Sequence, residues 1–124
     1  MILLLKNKQK GDLNMLYILP DGTIRLTRGD TARFDISIDN DVTGLPYEIE
    51  ETDVLEFSVK KSMADKNPLI YKRLIGTNMF TINSIDTKDL PFGEYVYDIQ
   101  LTNEDGDVST VITPSKFEIM GEVT

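Results

Sequence analysis

Two groups of carboxylates and one charged tripeptide are the residues of this chain whose types and spacing could do chemistry. Glu48, Glu50, Glu51 and Asp53 fall close together, as do Glu104, Asp105 and Asp107. Two carboxyl groups facing each other across a cleft can divide acid and base work in glycoside hydrolysis. The same oxygens, with Asp39 and Asp41, could hold calcium weakly, because that cation takes hard oxygen ligands. Yet no twelve-residue loop with ligands at alternate positions is present, and no aromatic run beside the acidic residues offers a platform for a sugar. Solvated surface loops account for both groups more simply. Arg28-Gly29-Asp30 spells the integrin-binding tripeptide. A glycine turn between two strands, flanked by opposite charges, explains it completely.

The missing residue types exclude more than the present ones suggest. Histidine and cysteine are both absent. Ser-His and Cys-His nucleophile pairs, thiolate chemistry, disulfides and imidazole- or thiolate-bound metals are therefore ruled out. Glycine-rich phosphate loops, basic patches with interleaved aromatics and amphipathic helices are missing as well. The sequence thus reads as a binding or structural module and not an enzyme, with no catalytic residue, no cofactor and no metal.

Charge narrows the partners. The chain carries 21 acidic against 13 basic residues, a formal net charge of −8. Such a field repels a phosphate backbone or an anionic membrane, so neither nucleic acid nor membrane is expected as a partner. The charges are dispersed and apolar residues make up 40 %, so disorder is not indicated. Met1–Leu5 is apolar, but positive charge follows it instead of preceding it, unlike a signal peptide. No stretch approaches the ~20 apolar residues of a membrane span.

The elements that must position these residues read almost wholly as strands. At 124 residues the chain fits one domain. Residues 1–14 differ in texture from the rest and are set apart as an arm or a translated leader, with a β-sandwich domain over 15–124. Met15–Leu19 is a short β-prone run before the Pro20-Asp21-Gly22 turn signal. Thr23–Thr27, Thr31–Asp39, Asp53–Lys60, Leu69–Ile75, Met79–Ile85 and Glu94–Thr102 follow as strands. Period-two alternation puts Ile24 and Leu26 inward, then Phe34, Ile36 and Ile38, then Leu55, Phe57 and Val59, then Tyr95, Tyr97, Ile99 and Leu101. Phe80, Ile82 and Ser84 are read onto one face. Asn40–Thr52 is read as a loop, and Asp86–Gly93 as a helical turn capped by Asp86 and stopped by Pro91. Asp105-Gly106 is the best hairpin signal, and its partner strand runs from Asp107 to about Ile119. There Val108 and Ile112 are even-numbered while Phe117 and Ile119 are odd, which predicts a bulge or break near Pro114. Pro68 and Pro114 both suit edge positions.

Many short strands with turns about every ten residues mean a sandwich or a barrel. One local signature chooses between them. Asp86, Leu90, Gly93 and Tyr95 have the arrangement of the tyrosine corner that precedes a central strand of immunoglobulin-like sandwiches, with Tyr97 two residues on at a core position. The expected fold is therefore all-β, an immunoglobulin-like antiparallel sandwich of about seven to eight strands. Phe57 takes the central core site where many such domains have Trp.

Further short motifs carry a family resemblance. They are Arg28-Gly29-Asp30-Thr31-Ala32, Leu55-Glu56-Phe57-Ser58-Val59-Lys60-Lys61, Pro68-Leu69-Ile70-Tyr71-Lys72, the Leu90-to-Tyr97 corner, and Ser115-Lys116-Phe117-Glu118-Ile119. In order and spacing, residues 24–124 resemble the N-terminal domain of phage baseplate upper proteins and related small tail-associated proteins, over about four-fifths of the chain. The resemblance implies a sandwich that docks into a virion made in the bacterial host cytoplasm. Its partners would be other phage structural proteins, in a homo-oligomer or a hetero-assembly, and no catalytic residue carries over. A bacterial surface or secreted adhesion domain is the alternative on the same physics.

Two readings of residues 1–14 stand. Met15 is a natural start if Lys10-Gly11-Asp12 is encoded by a ribosome-binding sequence; otherwise the segment is a true arm. In the second case Met1, Ile2, Leu3, Leu4 and Leu5 form a candidate interface. Leaving four large apolar side chains in water forgoes roughly 1.5–3 kcal/mol each, so burial is expected, against a neighbouring subunit or against the domain's own sheet.

Overall fold

A computed structural model describes residues 2–7, 16–19, 21–40 and 42–121. Among them the strands are β1 (Ile2–Asn7), β2 (Leu16–Ile18), β3 (Ile24–Thr27), β4 (Ala32–Asp39), β5 (Pro46–Tyr47), β6 (Val54–Lys60), β7 (Ile70–Ile75), β8 (Met79–Ile82), β9 (Gly93–Thr102) and β10 (Val108–Met120). One short helix, α1 (Ser84–Lys88), separates β8 from β9. Alternation of apolar and polar residues gives β4, β6 and β9 one buried face each, and those faces meet. The six-stranded sheet runs β2-β3-β10-β9-β6-β7, and the smaller sheet places β1 and β4 side by side with β5 and β8 both pairing β4.

Phe57 on β6 stands at the middle of the core. Its ring centroid lies 5.8 Å from Phe34, 5.7 Å from Phe80, 5.5 Å from Tyr97 and 6.2 Å from Phe117, so one ring joins both sheets. Ring pairs at such offsets contribute about 0.5–1.5 kcal/mol each beyond area burial. Ile36, Val59 and Ile99 are fully buried around this cluster. The β10-β9-β6-β7 order facing β4 and β8, with a corner tyrosine opening β9, makes this an all-β sandwich of immunoglobulin type.

Several details differ from the expected layout. Strands are more numerous than seven or eight, because β1 and the two-residue β5 were not read from the sequence. The sandwich is not wholly antiparallel either: β3 runs parallel to β10, from Ile24 beside Phe117 to Thr27 beside Met120. In β10 the register slips twice, between Ile112 and Ser115 as the phase change near Pro114 predicted, and again between Thr110 and Ile112. Val108 proves exposed, because it lies across from Thr102 on the outer face, and Val111 is buried instead. Pro114 belongs to an inner strand of the sheet order but stands where that strand has one side free among the described residues. It stands in the part of β10 that extends beyond β3 and pairs only with β9 among the described residues, so its missing N–H costs no ladder bond there. Ser84 opens α1 and is exposed, since the strand before it stops at Ile82. Asp86 is not the cap: Asn83 holds that place, and the Asp86 carboxylate accepts from the Asn83 backbone N–H at 2.7 Å.

The N-terminal segment is part of the sheet where it is described. Ile2–Asn7 pairs antiparallel with Asp39–Phe34, so the backbone of these residues belongs to the domain's own sheet and not to a separate arm. Met1 and residues 8–15, with the proposed start at Met15, lie outside the described residues, as do Pro20 and Asp41.

Candidate interaction surface

The corner is built first, because it fixes one pole of the molecule. Leu90 donates its N–H to Thr87 O at 3.0 Å and packs on the core, while Gly93 opens β9 beside Ile119. These turns aim Tyr95 inward, 2 % exposed, and its hydroxyl donates to Pro91 O at 2.6 Å. Burial holds this phenol above its ordinary range. Leu90, Gly93 and Tyr95 therefore do come together, as a structural joint.

The charged tripeptide belongs to the same joint. Gly29 donates its N–H to Thr87 Oγ1 at 2.8 Å, and Thr87 is fully buried. The Arg28 guanidinium lies 4.0 Å above the Phe92 ring and donates to Leu90 O at 3.4 Å. A cation over an aromatic face is worth about 0.5–1 kcal/mol at an exposed site. Arg28 and Gly29 thus clamp the β3–β4 turn onto α1 and the corner. Nothing in the sequence signals the Arg28–Phe92 contact, since the two residues are distant in the chain.

The carboxylate groups do not face one another. Asp53 is 1 % exposed and turns inward, accepting from the Tyr47 hydroxyl at 2.5 Å and from Glu50 N–H at 2.9 Å. Burial first, and this hydrogen bond second, push the Tyr47 phenol up to about 12. Glu48, Glu50 and Glu51 point outward. Glu104 and Asp105 sit on an exposed hairpin loop in which Asp107 N–H donates to Asn103 Oδ1 at 2.9 Å. Among the described residues no three acidic side chains converge as a metal site. An open groove of about 400 Å³ runs along β4 between residues 46–49 and 76–78. At its floor Asn78 bonds the Ile36 backbone through both its carbonyl and its side-chain amide, so β4 offers no free backbone there.

The free edge of the six-stranded sheet is different. β7 pairs β6 along one side, and among the described residues no strand pairs its other side. Gly76 N–H donates to Asp53 O at 2.9 Å, which sets the phase of the ladder. Even-numbered residues of β7 therefore bond β6, and the N–H and C=O groups of Tyr71, Arg73 and Ile75 point away from it. Gly76 ends the strand at φ +71, and a Cβ there would stand 3.0 Å from Glu51 O. Leu69, Tyr71 and Ile75 are all exposed apolar residues, 47 %, 46 % and 57 % respectively. The Tyr71 hydroxyl donates to Glu56 Oε2 at 2.5 Å, and this bond, more than burial, raises the phenol. Lys72 turns back to Asp86 at 2.7 Å. Sequence reasoning marked Pro68 as an edge residue but did not single out the strand after it. Its alternating exposed apolar residues were the available signal.

Beside this edge, on the outer face, Asp98 lies in a small depression with Lys60, Ser58, Val96 and Pro114. Burial raises its carboxyl and Lys60 partly draws it back. The whole face offers backbone hydrogen bonding and apolar contact, the means by which an extended segment or a second sheet is held.

No family model matches this sequence, and no curated protein matches it. Among solved structures it is similar to the extracellular domain of a putative one component system from B. thetaiotaomicron, with a TM-score of 0.52 and 20 % identity. The match covers 97 % of this chain and 15 % of that one, so the likeness is of fold, to one small part of a larger protein.

Proposed function

We propose that this domain is a non-enzymatic docking module that joins a larger protein assembly through exposed sheet edges. The observation that carries the reading is the β7 edge, where unpaired backbone groups and three exposed apolar side chains occur together. Natural sheets blunt such edges with charge, proline or a covering segment unless pairing is their purpose. Here Pro68 precedes the strand and Lys72 is held by Asp86, which leaves Arg73 as the one charge toward its middle that is not tied back.

The setting we propose is a bacteriophage virion, with the domain as a tail or baseplate component among other structural proteins. This rests on the resemblance of residues 24–124 to the N-terminal domain of phage baseplate upper proteins. A second reading, a bacterial surface or secreted binding domain, draws support from the fold likeness to a bacterial extracellular domain. Quantitative mass spectrometry of gradient-purified particles and of host envelope fractions separates the two. Recovery in particles at a fixed ratio to known tail proteins is the expected result. Recovery in the envelope alone overturns the virion setting.

A further inference from the structure

We infer that β7 is the pairing edge for a second copy of this chain, the two strands running antiparallel about a twofold axis with Tyr71 of each opposite Arg73 of the other. The inference rests on the docking reading and names its partner and register. Ladder phase limits the choice, since only Tyr71, Arg73 and Ile75 present both backbone groups outward. Antiparallel copies of the same edge that keep Tyr71 opposite an outward residue of β7 can then place Tyr71 opposite Tyr71, Arg73 opposite Arg73 (with Tyr71 opposite Ile75), or Tyr71 opposite Arg73. The second choice stacks like charges across the seam, which destabilises a sheet pair. The first sets Arg73 against the apolar Leu69 and leaves Ile75 beyond the seam.

The third choice is self-complementary along its whole length. Arg73, which has no ion-pair partner among the described residues, meets the Tyr71 ring of the other copy, whose hydroxyl is bonded to the Glu56 carboxylate. Leu69 meets Ile75, joining two residues that are about half exposed in the single chain. Lys72 meets Lys72 on the opposite face, but each is neutralised by its own Asp86. Pro68 and Gly76 fall opposite each other and close the seam at both ends. Each Tyr71–Arg73 pair would exchange both N–H···O bonds, and the two six-stranded sheets would become one continuous sheet.

Because the native chain has no cysteine, cross-linking reads this register directly. Tyr71→Cys and Arg73→Cys proteins, oxidised separately and as an equimolar mixture, are compared on non-reducing gels. Directly opposed residues lie within disulfide reach, whereas diagonal ones, roughly 7–8 Å apart, do not. The mixture is expected to give at least ten times the cross-linked dimer of either variant alone. Sedimentation of the unmodified chain should show concentration-dependent dimer. Arg73→Pro, which removes an outward N–H and leaves the β6 ladder whole, should raise the dissociation constant at least tenfold with unchanged circular dichroism.

A chain that stays monomeric up to millimolar concentration overturns the inference. So does a dimer in which Tyr71→Cys alone cross-links, or one that shows no preference for the mixture. A dimer through another surface leaves the docking reading standing, while absence from virions removes the virion setting without touching the dimer. The two failures are therefore distinguishable.

Discussion

The hydroxyls of Tyr95 and Tyr97 end on backbone carbonyls, of Pro91 and Gly22, whereas those of Tyr47 and Tyr71 end on the carboxylates of Asp53 and Glu56. The first pair sits on β9, rings buried, and ties a central strand to turns at its flanks. The second pair lies nearer the surface, Tyr47 on β5 and Tyr71 on the β7 edge. The difference is one of purpose. A carbonyl acceptor never ionises, so the β9 joints hold as long as the phenol keeps its proton. The Asp53 partner of Tyr47 is buried, whereas at Tyr71 the bond to Glu56 is exposed and adds little to folding, because water competes for both groups. What it does is set the direction of a ring, and at Tyr71 that ring lies on the face open to a partner.

Breaking the inner pair gives the largest effects. Tyr97→Ala removes a ring packed against Phe57 and Phe117, and about 3–5 kcal/mol of stability should go with it, measured by urea unfolding. Tyr97→Phe keeps the packing but leaves Gly22 O without its donor, and should cost about 1–3 kcal/mol. Tyr95→Phe, by the same measurement, should cost about 1 kcal/mol. If Tyr95→Phe were as stable as the parent chain, the corner would be only a turn.

Alkali sharpens the comparison. All four phenols are raised in the folded chain, chiefly by burial except at Tyr71, so each titrates later folded than unfolded. A raised pKa contributes stability that is complete below the unfolded value and lost as pH climbs through the folded one. For Tyr47 that window runs from the ordinary phenol value of 10.0 to about 12. Denaturation midpoints should therefore fall over this range, and Tyr47→Phe should fall less steeply than the parent. Equal slopes would show that the Tyr47–Asp53 bond does not survive in solution. Smallest of all, Tyr71→Phe should change stability by less than about 0.5 kcal/mol, as expected of a surface change, while weakening association through β7.

Much of this was legible in the chain. Every residue that the alternation in β4, β6 and β9 turns inward is buried, because a slip by one residue would turn all of them outward. Asp35 on the other face of β4 is buried as well, which the alternation did not show. Leu90-x-x-Gly93-x-Tyr95 was legible too, since a local turn and a strand start within a few residues of each other. The rest depended on distant partners. β5 is a strand only because Ile38 and Asp39 lie alongside it, and β1 only because β4 offers a free side. Val108 misled because it is apolar and in strand phase, yet its partner Thr102 faces out. The Arg28–Phe92 contact leaves no trace in either local segment. The β7 edge shows in its exposed alternation, but only the sheet order reveals that no strand among the described residues pairs its outer side.

The parallel run of β3 along β10 has a kinetic side. Arg25 and Glu118, joined there by an ion pair at 2.8 Å, are separated by 93 positions in the chain. Contacts of such span must close a long loop before they return any stabilisation, and proteins built on them fold in milliseconds to seconds. During synthesis, β3 emerges early and then waits while the ribosome makes every strand up to Met120. For most of that time, at about 5–20 residues per second, its Ile24 and Leu26 have no lasting cover on the β10 side. The early hairpins can form as they appear. The six-stranded sheet is finished only once β10 has been made.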